Sequence, residues 1–139
     1  MGAPSSATGG CLCGAVRFAI SGAMRSVINC HCGQCRRFHG HYAAYSAVDA
    51  NDLTMTEDRG LKWFQSSDMA RRGFCAECGS SLFWKPTNKP HIAVAAGSLD
   101  QPSGLVTTGD IFTMDKGDYY MIAAGREDWW GTMSDEDWP

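Results

Sequence analysis

The sequence predicts a mainly β domain of short antiparallel strands. Three observations carry that prediction. Apolar and polar residues alternate over short runs, which is the period of a half-buried strand. No stretch holds the 3.6-residue spacing of a long helix. Glycine-rich turns, several containing cysteine, punctuate the runs. A chain of 139 residues is long enough to bury a core of its own as one domain.

The elements follow in order. Residues 1–9 are small and polar and read as a flexible lead-in, residues 10–124 as the folded domain. Over residues 14–20, Val16, Phe18 and Ile20 fall on one side and Arg17 on the other, as in a strand. Residues 26–30 give a second strand, 33–38 one helical turn and 42–48 a further strand. Residues 61–65 and 70–75 form a hairpin across Ser66-Ser67-Asp68, three residues with turn chemistry. Residues 81–84 and 91–96 continue the strands, and 110–114 and 118–122 repeat the pattern less regularly. Residues 125–139 form an acidic segment carrying Trp129, Trp130 and Trp138.

Composition excludes several functions. The net charge of −3 lacks the basic excess of a nucleic-acid binder. No apolar run is long enough to span a bilayer, and no charged start followed by an apolar core marks an export signal. The expected location is therefore the cytoplasm, where thiols stay reduced or bind metal.

Seven cysteines are the informative feature. Disulfides use thiols in pairs, and seven is odd. The cysteines also fall in tight groups: Cys11 with Cys13; Cys30, Cys32 and Cys35; Cys75 with Cys78. Zinc takes four ligands in a tetrahedron, and two cysteines separated by one or two residues reach one ion from a single turn. Glycine beside them frees the backbone to aim N–H groups at sulfur. Gly10, Gly14, Gly33, Gly73 and Gly79 lie at these places.

Seven ligands divide unevenly. Cys30, Cys32 and Cys35 share one short turn and one ion. Cys75 and Cys78 need a second pair, and Cys11 and Cys13 supply it. The four-cysteine site is closed and structural. The three-cysteine site leaves its fourth position to water or a substrate thiolate, the pattern of a catalytic zinc. A histidine from His31, His39, His41 or His91 would instead close it, and three thiols that bind nothing would simply be small buried hydrophobes.

Arg36 and Arg37 follow Cys35, and Arg71 and Arg72 precede Cys75. Guanidinium groups there offset the negative charge of three thiolates on a dication, and Arg36 and Arg37 are candidate carboxylate-binding residues. His31 and His39 are the candidate proton shuttles. Trp63, Phe64, Phe83 and Trp84 read as core or pocket wall.

Three motifs carry a resemblance. Residues Gly10-Cys11-Leu12-Cys13-Gly14-Ala15-Val16-Arg17-Phe18, Cys30-His31-Cys32-Gly33-Gln34-Cys35-Arg36-Arg37 and Arg72-Gly73-Phe74-Cys75-Ala76-Glu77-Cys78-Gly79-Ser80 resemble, in order, those of the glutathione-dependent formaldehyde-activating enzyme family, which includes the centromere protein V domain. Gly97-Ser98-Leu99-Asp100 and Asp115-Lys116-Gly117-Asp118-Tyr119-Tyr120 resemble later family segments. The likeness runs from about residue 9 to about residue 122. It implies a zinc β fold of the Rab-chaperone type with two zinc ions: a structural one on Cys11, Cys13, Cys75 and Cys78, and a catalytic one on Cys30, Cys32 and Cys35. It implies a carbon–sulfur lyase acting on a small-molecule thiol adduct, the founding reaction joining glutathione and formaldehyde as S-hydroxymethylglutathione. The chain departs from the family at Asp110, where members often carry histidine, and at His39, where the position is commonly small. The competing class is a zinc-stabilised binding module whose ions are scaffolds only.

Overall fold

The structure, a computed structural model, describes residues 4–131. Eleven strands and one α-helix follow in order: β1 (Ser6–Gly10), β2 (Arg17–Ser21), β3 (Val27–Cys30), α1 (Gly33–His39), β4 (Ala43–Asp49), β5 (Leu53–Glu57), β6 (Leu61–Ser67), β7 (Ala70–Cys75), β8 (Ser81–Pro86), β9 (His91–Ala95), β10 (Thr107–Ile111) and β11 (Glu127–Trp129). The mainly β class predicted from the sequence is what forms.

Two sheets carry the fold. A small one has the order β1-β2-β5, and a large one the order β11-β10-β3-β4-β9-β8-β7-β6. Pairing is antiparallel except around β10, which runs parallel to both β3 and β11.

Alternation along the central strands builds two apolar clusters on opposite faces of the large sheet. Val48, Ile92 and Val94 join Phe18 and Ile20 of the small sheet in the main core. The residues between them, Ala93 and Ala95, join Ala43 and Tyr45 in a second cluster that includes Cys30 and Cys35. The ring edge of Phe18 meets Phe83 at 5.2 Å between centroids, and full burial of each stabilises by roughly 2–3 kcal/mol. A register shift between Gly73 and Phe74 opposes Gly73 to Phe83 and Phe74 to Ser81. The extra residue lets consecutive Leu82 and Phe83 both enter the main core, and Trp84 then reaches the second cluster.

Several expectations are corrected. Residues 6–9, read as lead-in, are strand: they pair with β2 along its full length, because the small side chains let Gly9 lie against Phe18. Residues 1–3 lie outside the described residues. Residues 118–122 form no strand; Tyr119 and Tyr120 serve ring contacts instead. Within the C-terminal segment, residues 127–129 join the sheet, and Trp129 covers Gly109 so closely that a Cβ there would lie 2.4 Å from its ring. Trp130 is exposed. Trp138 and the rest of the acidic stretch lie outside the described residues.

Candidate metal centres

The first sulfur cluster joins two loops. Cys11 and Cys13 follow β1, and Cys75 and Cys78 form the turn between β7 and β8. Their four sulfurs all lie within 4.8 Å of one another, at 3.7 Å for Cys11 to Cys13 and 3.8 Å for Cys13 to Cys75. A disulfide needs about 2.05 Å, so all seven cysteines are free. A tetrahedron with zinc–sulfur bonds of about 2.3 Å has edges of about 3.8 Å. The measured separations fit a zinc-sized ion.

Backbone groups are aimed at these sulfurs. The Val16 N–H donates to Cys11 Sγ at 3.2 Å and the Cys78 N–H to Cys75 Sγ at 3.5 Å. The Ser80 hydroxyl lies 3.2 Å from Cys78 Sγ; it and the Ser80 backbone draw that thiol down to about 5. Of the glycines beside the cysteines, Gly14 and Gly79 take left-handed φ. Gly10 and Gly73 are needed for close approach instead: a Cβ on Gly10 would meet the Val16 carbonyl at 2.4 Å. Gly60, three residues past Glu57, has the same role. Its Cβ would lie 2.8 Å from Cys75 Sγ.

The second cluster lies on the other face. Cys30 ends β3, Cys32 caps α1 and Cys35 occupies its first turn. The cap is made by sulfur: Cys32 Sγ accepts the Cys35 N–H at 3.4 Å. These three sulfurs also lie within 4.8 Å of one another. Like charges so close cannot all ionise without a cation. The Cys30 thiol is accordingly pushed up by Cys32, Cys35 and burial, while hydrogen bonds from Cys30 and Cys35 pull Cys32 down to about 2. One proton-poor sulfur among proton-rich neighbours is a donor set that a soft dication would complete.

Among the described residues no histidine nitrogen joins either cluster. His31 points elsewhere despite sitting between two cysteines. Its Nε2 meets Asp110 Oδ1 at 2.8 Å and its Nδ1 meets the Tyr120 hydroxyl at 2.7 Å. Asp110, fully buried, also accepts two hydrogen bonds from Arg126 and one from Asn29. His39 Nε2 meets the Tyr45 hydroxyl at 2.7 Å; burial, then the charge of Arg72, hold its pKa at about 4. His41 bonds the Tyr119 hydroxyl, and His91 lies against Trp84.

The arginines divide too. Arg71 stacks on Trp63 at 4.2 Å. Arg72, only 3% exposed, donates to Cys35 Sγ at 3.5 Å and to Gln34 Oε1 at 3.3 Å. The Arg36 side chain is half-buried, and Arg37 is exposed.

A cavity of about 140 Å³ adjoins the three sulfurs, with Arg25 and Arg72 in its wall. Burial lowers Arg25 to about 10, so it remains a cation at neutral pH. An open groove of about 320 Å³, bordered by Gln34, Arg37, Phe38, Phe64 and Ser66, shares Arg72 with the cavity. His39 lines a separate open groove of about 700 Å³ beside Arg17 and Asp100, while its partner Tyr45 lines the cavity. Sequence reasoning missed Tyr45, an ordinary residue of β4, and Arg25, in the connection between β2 and β3; neither carries a local signal. Asp110 was visible only as a departure from the family pattern.

A model of the glutathione-dependent formaldehyde-activating enzyme family matches residues 6–115. An uncharacterized lyase of Schizosaccharomyces pombe is 31% identical over 81 residues, 58% of this chain and 58% of that protein. The match thus spans little more than half of that relative. A crystal structure of a Rhodobacter sphaeroides protein, a structural-genomics target, aligns with a TM-score of 0.57 and 26% identity, covering 72% of this chain and 97% of that one. Among the described residues, no helix is long and apolar enough to cross a membrane.

Proposed function

Because the chain belongs to the glutathione-dependent formaldehyde-activating enzyme family, we propose that it is a zinc-dependent carbon–sulfur lyase that makes and breaks the adduct of a thiol and an aldehyde. The observation that carries this reading is the pairing of a four-sulfur cluster with a three-sulfur cluster beside a cavity. Cys11, Cys13, Cys75 and Cys78 hold the structural zinc, and Cys30, Cys32 and Cys35 the catalytic one. When bound by three sulfurs, zinc supplies a Lewis acid with room for one further donor, which favours thiolate over thiol.

The chain's own residues do the rest. Arg72 places a permanent positive charge against the three-sulfur cluster and so favours anionic sulfur there. Arg37 stands on the groove that Arg72 also borders and binds the carboxylate of a glutathione-like thiol, with Arg36 beside it as the second candidate. Tyr45 links the cavity to His39, which stays neutral at pH 7 and shares a hydrogen bond with the tyrosine hydroxyl. That pair is the proton route to the outer groove. His31, committed at both nitrogens, is a positioning residue for the loop carrying Cys30 and Cys32. In this reading the protein acts in a reducing compartment, which keeps the seven thiols available.

Exchange spectroscopy with glutathione and formaldehyde tests the reading, comparing wild type with Cys32→Ser and counting zinc by native mass spectrometry. Two ions and a thiol–aldehyde exchange lost in Cys32→Ser are expected. Protein that carries both ions yet accelerates no thiol–aldehyde exchange is a binding module instead.

A further inference from the structure

The cavity beside Cys30, Cys32 and Cys35 is larger and more apolar than formaldehyde requires. Its walls are Ile28, Tyr45, Trp84, Ala93, Ile111 and Phe112, and its volume is about 140 Å³. A water molecule takes a share of roughly 30 Å³, and formaldehyde, with two heavy atoms, is of similar size. It would leave most of this space empty. An apolar cavity of roughly 150 Å³ is large enough to take up benzene. The two cations in the wall are largely engaged elsewhere: Arg72 bonds Cys35 and Gln34 through its terminal nitrogens, leaving its buried Nε without a partner, and Arg25 bonds the carbonyls of Ser26 and Tyr45. Apart from that one N–H, what remains is mostly hydrocarbon and ring surface with sulfur at one end.

We propose that the carbonyl partner of this enzyme is an apolar aldehyde of about four to seven carbons, its hydrocarbon part seated in this cavity and its carbonyl carbon at the sulfur end. The inference rests on the thiol–aldehyde reading above and specifies its substrate class. The step balances without oxidant or reductant. The thiol sulfur bonds to the carbonyl carbon, the carbonyl π pair moves to oxygen, and the proton lost from the thiol ends on that oxygen. A thiol and an aldehyde thus give an S-(1-hydroxyalkyl) adduct, and the reverse step releases both. Each methylene buried strengthens binding by about fourfold, so selectivity grows with chain length until the cavity is full.

Two residues set that limit. Ala93 on β9 offers only a methyl group, and Ile111 on β10 is half-buried.

The test uses zinc-loaded, full-length protein with glutathione as thiol and formaldehyde, butanal, hexanal and benzaldehyde as partners. Benzyl alcohol, which cannot react, is titrated calorimetrically as a binding probe. The structure predicts kcat/KM at least tenfold higher for hexanal or benzaldehyde than for formaldehyde, and competition by benzyl alcohol. Ala93→Val should shift preference to shorter aldehydes and Ile111→Ala to longer ones, by one or two carbons each. Turnover of formaldehyde with no gain for longer aldehydes and no benzyl alcohol binding overturns the inference while leaving the lyase reading intact. Acceleration with none of the four aldehydes overturns both.

Discussion

Nη1 of Arg72 donates a hydrogen bond to Sγ of Cys35 at 3.5 Å, and both side chains are buried. Burial alone would lower the arginine's pKa, but the charge and hydrogen bond of Cys35 outweigh it and raise it. The guanidinium is therefore a fixed cation. The four-sulfur cluster has backbone N–H donors on Cys11 and Cys75 and a hydroxyl beside Cys78. The three-sulfur cluster has one backbone donor, the Cys35 N–H on Cys32 Sγ, and adds a charge. Three thiolates on the proposed dication sum to −1, and Arg72, which touches the sulfur, offsets that charge directly.

Arg72→Met should accordingly release the zinc of the second cluster and spare that of the first. A charge-assisted hydrogen bond to a buried group is worth about 1.5–3 kcal/mol, or roughly tenfold to a hundredfold in affinity. Arg72→Lys keeps the charge and should recover part of the loss. Zinc counted after stepwise exposure to a chelator checks this. Identical release curves for wild type and Arg72→Met would remove the charge argument.

The two clusters should also differ in what they hold together. Cys78 helps bridge the end of β1 to the β7–β8 turn across nearly half of the chain, whereas Cys30, Cys32 and Cys35 lie within one turn. Cys78→Ser should lower Tm by about 10 °C or more, as expected for a broken structural metal site of several kcal/mol. Cys35→Ser should cost less than half of that and abolish thiol–aldehyde exchange. Calorimetry on both variants decides it, and equal melting points would mean that the division of labour is wrong.

Much of this arrangement was legible in the sequence, and the exceptions have physical causes. Cysteine spacing is local chemistry, so the grouping into four and three sulfurs could be read before any fold was known. The alternation of Val16, Phe18 and Ile20 likewise marked the core side of β2. Residues 6–10 gave no such pattern, because their role is to present backbone: Gly9 pairs with Phe18 and lies against its ring through the lack of a side chain. The parallel partner of β3 was also hidden, since β10 lies about 80 residues further along and only its fold position brings Asp110 to His31. Arg72 could be read as near cysteine in sequence, but through Cys75. The structure sends it to Cys35 on the other side of the sheet.

His39 gives the molecule a pH dependence of definite sign. Its folded pKa of about 4 lies below the ordinary 6.5, burial being the main cause. The unfolded chain therefore binds the extra proton first. This contribution is fully present above pH 6.5 and is lost as pH falls towards 4, at most about 3 kcal/mol in all. His39→Gln keeps a hydrogen-bonding partner for Tyr45 without the titration. The stability difference between wild type and His39→Gln should shrink or invert across that window. Zinc release by thiol protonation acts on both proteins and cancels in the difference. A difference that stays constant from pH 7 to pH 4 would show that His39 is not held neutral.

Asp110 joins distant parts of the chain at the back of the three-sulfur cluster. It receives His31 from the Cys30–Cys32 loop and Arg126 from the segment before β11. Asp110→Asn removes the charge while keeping the shape, and leaves the half-buried Arg126 cation facing a neutral amide. Removing one partner of a buried pair costs about 3–5 kcal/mol, much of it the penalty on the charge left behind. The double variant Asp110→Asn with Arg126→Met should therefore be more stable than Asp110→Asn alone, by about 1–2 kcal/mol in denaturant unfolding. His31 loses its charged anchor in both proteins, so neither should regain wild-type zinc retention at the second cluster. That split separates two roles of one carboxylate: balancing Arg126, which the second substitution relieves, and fixing the ring between Cys30 and Cys32, which it does not. Recovery of both stability and zinc retention in the double variant would mean that Asp110 serves Arg126 alone.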